Sequence, residues 1–133
     1  MKKIEKKEPR FFDEYIKSEK PETWSDMRNI KYKIRQYMLR QEQNQQCAYT
    51  EVRINPENTV SHIDHYLKQE WYKDHIFEYV NLFTSCNSEY FAAKYKDKNI
   101  QITDYQNLIN PAIENPADYF EYTMTGYIVP KDP

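Results

Sequence analysis

The chain has 133 residues, of which 39% are apolar and 30% charged, and its formal net charge is −2. This length suits about one domain, and the slightly acidic balance excludes a global basic field that would attract nucleic acid. A single glycine, Gly126, excludes the glycine-rich phosphate loops of nucleotide-binding folds. The two cysteines make no disulfide framework, and no apolar run approaches the ~20 residues that cross a bilayer. We therefore expect a cytoplasmic protein that does not contact a membrane.

The first third of the sequence predicts helices. A short helix is expected over Arg10 to Glu19, with Pro21 ending it. Thr23 is a typical N-cap, with Asp26 as its capping-box partner, and it opens an amphipathic helix from Trp24 to about Gln43. One apolar stripe marks that helix: Met27, Ile30, Ile34, Tyr37 and Met38. The glutamine-rich stretch 41–46 is interpreted as its solvated end.

The middle of the chain favours strands. Residues 47–54 (CAYTEVRI) and 59–66 are strand-forming and flank the turn-like stretch 55–58, so a hairpin between them is expected. Residues 71–83 are mixed in pattern and are compatible with either a helix or irregular structure. A helix is predicted over Ser85 to Lys96, with Ser85 as its cap, and the tail from Ile100 predicts a loop, a short helix and a late strand around Gly126. Together these elements predict an N-terminal helical region, 1–46, and a second region, 47–133, within one domain.

The densest chemistry lies between Ser61 and Asn87, where His62 and His65 flank Asp64. Histidine is the natural general base near neutral pH, and a carboxylate suits a hard cation such as Mg²⁺ or Mn²⁺. In a strand, adjacent Asp64 and His65 point to opposite sides, so one could hold a metal while the other approaches a water molecule. The alternative is that these are surface polar residues on an edge strand, which from spacing alone is the commoner case.

Three short sequence blocks follow one another along the chain: CAYT, then SHIDH, then YVNLFTSCN. Their order resembles that of the HNH endonucleases related to PtuB of the Septu and retron antiphage systems. The opening MKKIEKKEP, the TW start of the long helix and the tail INPAIENPADYFEYTMTGYIVP also resemble that family, so the likeness covers nearly the whole chain. It implies an α+β fold in which N-terminal helices precede a ββα-metal (HNH) core, with a C-terminal extension.

The resemblance also implies roles for individual residues. Asp64 would be a metal ligand, and His65 would be the general base that activates water. Asn81 would be the middle residue of the motif, which fixes the loop and orients the histidine. Asn87 is the oxygen ligand nearest to the third family position. The lysines of the next segment would either contact phosphate or form a solvated helix face, Lys94 and Lys96 among them.

The family's zinc knuckle, which uses two cysteine pairs, is incomplete in this chain. Cys47 and Cys86 keep their places, but Thr50 stands where a second cysteine belongs, and the partner of Cys86 is also replaced. Because a structural zinc site needs four N or S ligands, structural zinc is expected to be absent. Recruitment of His62 and His75 is the alternative. Aromatic packing is expected to take the metal's place, through Tyr49, Tyr90 and Phe91.

The function that the resemblance implies is Mg²⁺- or Mn²⁺-dependent hydrolysis of phosphodiester bonds in DNA. A partner ATPase of the PtuA type is implied as well, in an antiphage defence complex. Two alternatives stay open. One is a catalytically degenerate HNH fold that serves as a binding or scaffold subunit, and the other is a nuclease that acts on RNA. The aromatic residues of 71–79 could stack on bases, although core packing is the commoner role for such residues.

Overall fold

The computed structural model describes residues 3–57, 61–87 and 110–112, and the backbone of 120–122 and 128–130. Two α-helices, α1 (Arg10–Glu19) and α2 (Lys31–Tyr37), precede an antiparallel pair, β1 (Ser61–His65) and β2 (Leu82–Cys86). A second antiparallel pair, β3 (Phe120–Tyr122) and β4 (Ile128–Pro130), lies near the end of the chain. The fold class is therefore α+β, as predicted. Within these described ranges no helix is both long and apolar enough to cross a membrane.

Helix α1 has the predicted bounds. Pro9 precedes its first residue, and Lys20 ends it in the left-handed conformation, with a φ of 47°. The helix buries Phe12 against the core, while its exposed side carries an ion pair between Asp13 and Lys17 at 2.9 Å. Pro9 before the helix and Pro21 after it both restrict the backbone locally. The bounds of this helix could therefore be predicted from sequence.

The long helix predicted from Trp24 to about Gln43 is interrupted. A 3₁₀ turn (Trp24–Met27) and a turn over 28–30 precede α2, and a π-helical turn (Met38–Glu42) follows it. The predicted capping box does form, with the Asp26 carboxylate accepting backbone N–H bonds from Glu22 at 2.9 Å and Thr23 at 3.0 Å. These bonds lower the pKa of the Asp26 carboxyl, and the charge of Arg28 adds to the effect.

The apolar stripe predicted for this segment does face the core, since Met27, Ile34 and Met38 are fully buried. They form one cluster with Phe12, Tyr79 and Leu82 on the helical side of the β1–β2 pair. A second cluster lies on the other side of the pair: Ile4, Ala48, Tyr66 and Phe83. Both sides of this short sheet are therefore covered, which explains why β2 is buried at four successive positions, two apolar and two polar.

The predicted hairpin between 47–54 and 59–66 is wrong, because only its second strand forms, as β1. Strand β1 pairs with β2, in a register that runs from Ser61 opposite Cys86 to His65 opposite Leu82. Residues 47–54, predicted as a strand, instead fold back on themselves, with hydrogen bonds from Cys47 N to the Val52 carbonyl and from Ile54 N to the Gln45 carbonyl, both at 2.7 Å. Contacts with β2 hold this segment in its folded-back form, including a hydrogen bond from the Ala48 N–H to the Thr84 carbonyl. Its strand-forming composition therefore does not decide its structure.

Side chains cover the outer edge of β2. Gln43 donates to the Thr84 carbonyl and accepts from the Thr84 N–H, both at 2.9 Å, as a neighbouring strand would. Lys6 Nζ donates to the Leu82 carbonyl at 2.6 Å, and the Cys86 N–H donates to Cys47 Sγ at 3.3 Å. The expectation that 41–46 is a solvated tail is therefore wrong at Gln43, which is buried.

A buried ion pair joins the N-terminal segment to the core. Lys6 Nζ lies 2.8 Å from a carboxylate oxygen of Glu42, and the two side chains are only 4% and 0% exposed. The other Glu42 oxygen accepts hydrogen bonds from Tyr79 Oη and from the Lys7 N–H, both at 2.7 Å. Burial lowers the pKa of the Lys6 ammonium, while the charge and hydrogen bond of Glu42 oppose that shift.

The later predictions fall partly outside the described residues. Ser85, predicted as a helix cap, lies within β2, and the remainder of that predicted helix lies outside the described residues from 88 onward. Two short strands form an antiparallel pair on either side of 123–127, in a register from Phe120 opposite Pro130 to Tyr122 opposite Ile128. Gly126, around which one late strand was predicted, lies outside the described residues, as does most of the predicted loop and short helix of the tail.

Candidate functional site

Asp64 and His65 lie on β1, as predicted, and Asn81 ends the 3₁₀ turn that leads into β2. Their surroundings are more enclosed than a surface strand would give, since Asp64 is 3% and His65 4% exposed. An open cleft of about 300 Å³ nevertheless borders both residues and extends past His62, Ile63 and the loop that follows β1. The alternative of surface polar residues on an edge strand is therefore wrong about the exposure of Asp64 and His65, although β1 does lie at the edge of a two-stranded sheet.

The surroundings of His65 fix its protonation pattern. Its Nε2 lies 3.0 Å from the Ile76 carbonyl, which can only accept, so the ring proton is on Nε2 and the lone pair is on Nδ1. Gln69 Nε2 donates to that Nδ1 at 3.2 Å, and the edge of Trp24 packs against the ring at a centroid distance of 4.5 Å. The arrangement holds the imidazole with Nε2 toward the Ile76 carbonyl and Nδ1 toward Gln69.

Asp64 lies on the opposite side of β1 from His65, where its cross-strand neighbour is Phe83. The hydroxyl of Tyr49 donates a hydrogen bond to its carboxylate, and the Tyr49 ring packs on Phe83. Tyr49 was expected to fill the place of a lost zinc ion, so sequence analysis missed its contact with Asp64. Tyr49 is 15 positions from Asp64, and no local sequence pattern indicates a contact between residues at that separation.

The Asn81 side chain links two points of the loop between β1 and β2, Leu67 and His75. Its side-chain oxygen accepts from the Leu67 N–H at 2.8 Å, and its amide nitrogen donates to the carbonyls of Leu67 at 3.4 Å and His75 at 3.3 Å. The Tyr66 N–H also donates to the Asn81 carbonyl at 2.9 Å. Because this loop carries Ile76, whose carbonyl binds His65, Asn81 indirectly orients the imidazole.

Asn87 is brought to His62 rather than to Asp64, with its Oδ1 2.8 Å from His62 Nδ1. Cys86 pairs with Ser61, three residues before Asp64, and Asn87 lies one residue further along. At the usual rise of a strand, the two backbones are separated by about 13 Å along the sheet. In this register the side chains of Asp64 and Asn87 do not reach a single ion.

Cys47, Thr50 and Cys86 meet at the end of β2. Thr50 Oγ1 lies 3.8 Å from Cys86 Sγ, and the Cys86 N–H points at Cys47 Sγ. Burial by itself would raise the pKa of the Cys47 thiol, but hydrogen bonds from the Thr50 side chain and from the N–H groups of Cys86, Thr50 and Tyr49 outweigh it and lower the pKa. Cys47 and Cys86 are thus neighbours, as the knuckle resemblance predicts, and Thr50 stands beside them.

His62 and His75, the alternative zinc ligands, have other contacts. His62 binds Asn87, and His75 Nδ1 lies 2.7 Å from a carboxylate oxygen of Glu78. In the stretches that the structure describes, no three His, Cys, Asp or Glu side chains gather where they could hold a metal ion. Phe91, Tyr90, Lys94 and Lys96 lie outside the described residues.

We predict that the purified protein holds no stoichiometric zinc, because two thiols and a threonine hydroxyl do not make a closed zinc site. Elemental analysis after purification without chelators should find far less than one zinc per chain. One zinc per chain would contradict this, and Cys47→Ser would then be expected to release the metal.

Comparison of the chain with protein-family models, with curated proteins and with solved structures finds no match. The functional argument for this chain therefore depends on the site itself and on the sequence resemblance described above.

Proposed function

We propose that the chain is an HNH-type, metal-dependent endonuclease that hydrolyses phosphodiester bonds in DNA. The observation that carries this proposal is the pairing of Asp64 with His65 on β1 beside an open cleft, with the imidazole held in one tautomer by the Ile76 carbonyl. The two side chains leave opposite sides of β1, but both residues line this cleft, which therefore offers a carboxylate for a cation and a nitrogen base for water.

The residues at the cleft fit a hard divalent ion bound mainly by water and substrate. Mg²⁺ is commonly held by one or two carboxylates while it keeps several waters, and Asp64 supplies one carboxylate here. His62 is two residues away on the same side of β1. When bound, the ion would offset the negative charge that develops on the phosphate and on the leaving oxygen.

His65 would act through Nδ1, which takes a proton from the attacking water. Its Nε2–H remains on the Ile76 carbonyl, so the hydrogen bond stabilises the charged ring as it forms. Gln69 donates to the same Nδ1, so its side chain has to yield that position to the water. Asn81 keeps the loop in place during this exchange through its bonds to Leu67 and to the His75 carbonyl.

The second candidate function is a binding or scaffold subunit with an HNH-like fold. The enclosure of the site favours it, because Asp64 and His65 are both nearly buried and already hydrogen bonded. The antiphage setting and the PtuA-type ATPase partner are proposed from the sequence resemblance alone.

The experiment that tests the proposal is nicking of supercoiled plasmid with Mg²⁺ or Mn²⁺, by the chain alone and together with the candidate ATPase. We expect Asp64→Asn to weaken metal affinity, because it removes the negative charge but keeps the volume and an acceptor for Tyr49. Excess Mn²⁺ should then partly restore cleavage in a metal titration.

Asp74→Asn is the matched control, since Asp74 is exposed, lies in the 3₁₀ turn Lys73–His75 and does not line the cleft. It should leave the metal titration unchanged. An Asp64→Asn protein that cleaves with the metal dependence of the unmodified chain would refute Asp64 as a ligand. No cleavage under any condition, with the ATPase present, would favour the scaffold function.

A further inference from the structure

A second depression lies next to the cleft, between the α2 region and the start of β1. It measures about 420 Å³ and is open to solvent. Three basic side chains line it together with two aromatic rings: Arg28, Lys31, Arg35, Trp24 and Tyr32. We call this depression the basic groove. A chain with a net charge of −2 thus gathers three cations at one place, whereas sequence analysis looked for basic contacts at Lys94 and Lys96.

Two of the three basic groups contact neighbouring aromatic rings. Lys31 Nζ lies 5.5 Å from the centre of the Trp24 ring, and the Arg35 guanidinium lies 5.1 Å from that of Tyr32. Arg35 also donates to Ser61 Oγ at 2.8 Å. Contacts of this kind position a cation at the border of the groove without removing its charge.

Acidic side chains lie near the groove as well, although none is among its lining residues. Glu57 accepts a hydrogen bond from Tyr32 at 3.4 Å, but it is also paired with Arg40, which does not line the groove. Asp26 lies close enough to Arg28 for the charge of Arg28 to contribute to lowering the pKa of the Asp26 carboxyl. The lining of the groove itself therefore carries three cations and no carboxylate.

The basic groove is continuous with the cleft beside Asp64. His62 and Ile63 line both depressions. A polyanion that lies along the groove would therefore pass from Arg28 and Lys31 over β1 toward Asp64.

We infer that the basic groove binds the phosphodiester backbone of DNA and leads it to the Asp64–His65 cleft, an inference that rests on the proposed function. Guanidinium and ammonium groups are the usual partners of phosphate oxygens, and exposed aromatic rings beside them offer surfaces to bases or sugars. Contacts of this kind position a strand without reading its sequence.

The test measures binding without cleavage. Fluorescence anisotropy of a short labelled DNA duplex, in EDTA and at low salt, compares the full chain with Arg28→Gln/Lys31→Gln. Both side chains lie toward solvent more than Arg35 does, so the double variant is expected to fold. We expect affinity to fall by about tenfold for each lost contact, and the slope of log K against log salt to fall by about 2.

Two matched variants sharpen the result. Lys33→Gln/Lys73→Gln removes the same charge from exposed positions that do not line the groove, and it should bind DNA nearly as well as the unmodified chain. Arg28→Lys/Lys31→Arg keeps the charge and should restore most of the affinity. Equal losses in the groove and control variants, or no binding by the unmodified chain at low salt, would overturn the inference.

The same measurements separate this inference from the proposed function. Groove-dependent binding without cleavage under any metal condition would support the groove and reject the nuclease. Metal-dependent cleavage with groove variants that bind and cleave like the control would support the nuclease and reject the groove. If the groove variants bind DNA normally but fail to associate with the candidate ATPase, the groove is a protein interface and the inference fails.

Discussion

His65→Gln is expected to abolish DNA cleavage while the fold remains intact. Glutamine can still donate to the Ile76 carbonyl from a similar volume, but it cannot take a proton from water. Loss of a general base typically costs a factor of ~10²–10⁴ in rate. The measurement is the single-turnover rate of plasmid nicking at saturating Mn²⁺, with circular dichroism and thermal unfolding as checks on the fold.

His65→Ala should abolish cleavage too, but it is also expected to lower stability. The sequence suggests an imidazole that faces the surface and contributes little to packing, and that interpretation is wrong because His65 is buried against Trp24. His75→Gln is the matched control, since its imidazole is half-buried and binds Glu78. Metal-dependent cleavage that survives His65→Gln would refute the proposed mechanism.

Glu42→Gln is expected to lower the free energy of unfolding by about 3–5 kcal/mol, because it leaves the Lys6 ammonium buried without its counter-charge. Urea unfolding at neutral pH measures the loss. Glu57→Gln is the matched control, since it breaks an ion pair with Arg40 whose side chains are 64% and 45% exposed, and it should cost about 0–1 kcal/mol.

The loss caused by Glu42→Gln should shrink as pH rises. Burial already lowers the pKa of Lys6 in the folded chain, and removing Glu42 takes away the charge that opposes this shift. The folded state then releases its proton at a lower pH than the unfolded state, so stability increases with pH between those two pKa values. Adding Lys6→Met should recover much of the loss at neutral pH, because no buried charge remains. A pH-independent loss that Lys6→Met fails to relieve would contradict this account.

Local signals predicted the helical part of the chain better than its strands. Helix α1 is bounded by Pro9 and the left-handed Lys20, and both effects act within a few residues. The stripe from Met27 to Met38 identified buried positions correctly, although the helix itself is broken, because periodicity reports which side is buried more reliably than it reports continuity.

The strand pairing could not be predicted from local pattern. The partner of β1 is β2, and the residues between them form a loop whose hydrogen bonds converge on Asn81. Composition alone makes Cys47–Ile54 as good a strand as β1. The structure of this segment depends on contacts with β2. Gln43 donates to the Thr84 carbonyl, and the Ala48 N–H donates to the same carbonyl at 3.1 Å. Those contacts exist only in the folded chain.

For the candidate site too, the sequence predicted the positions of residues along the chain but not the contacts between distant parts of it. Asp64, His65 and Asn81 occupy the strand and the turn expected of them, because their positions follow from the order of elements along the chain. Tyr49 and Gln69 were missed as contacts, and the separation of Asn87 from Asp64 follows from a register that only the structure gives.

The side chains that cover the outer edge of β2 come from parts of the chain far from it in sequence. Lys6, Gln43 and Cys47 are separated from their β2 partners by 76, 41 and 39 positions. During synthesis all three leave the ribosome before β2 does, so the strand emerges beside groups that can cover it. A chain diluted from denaturant has no such order, and its β1–β2 pair can close while the edge of β2 is bare. A bare strand edge exposes unpaired N–H and C=O groups and invites pairing with another molecule. The protein should therefore aggregate more readily on refolding than during its biosynthesis.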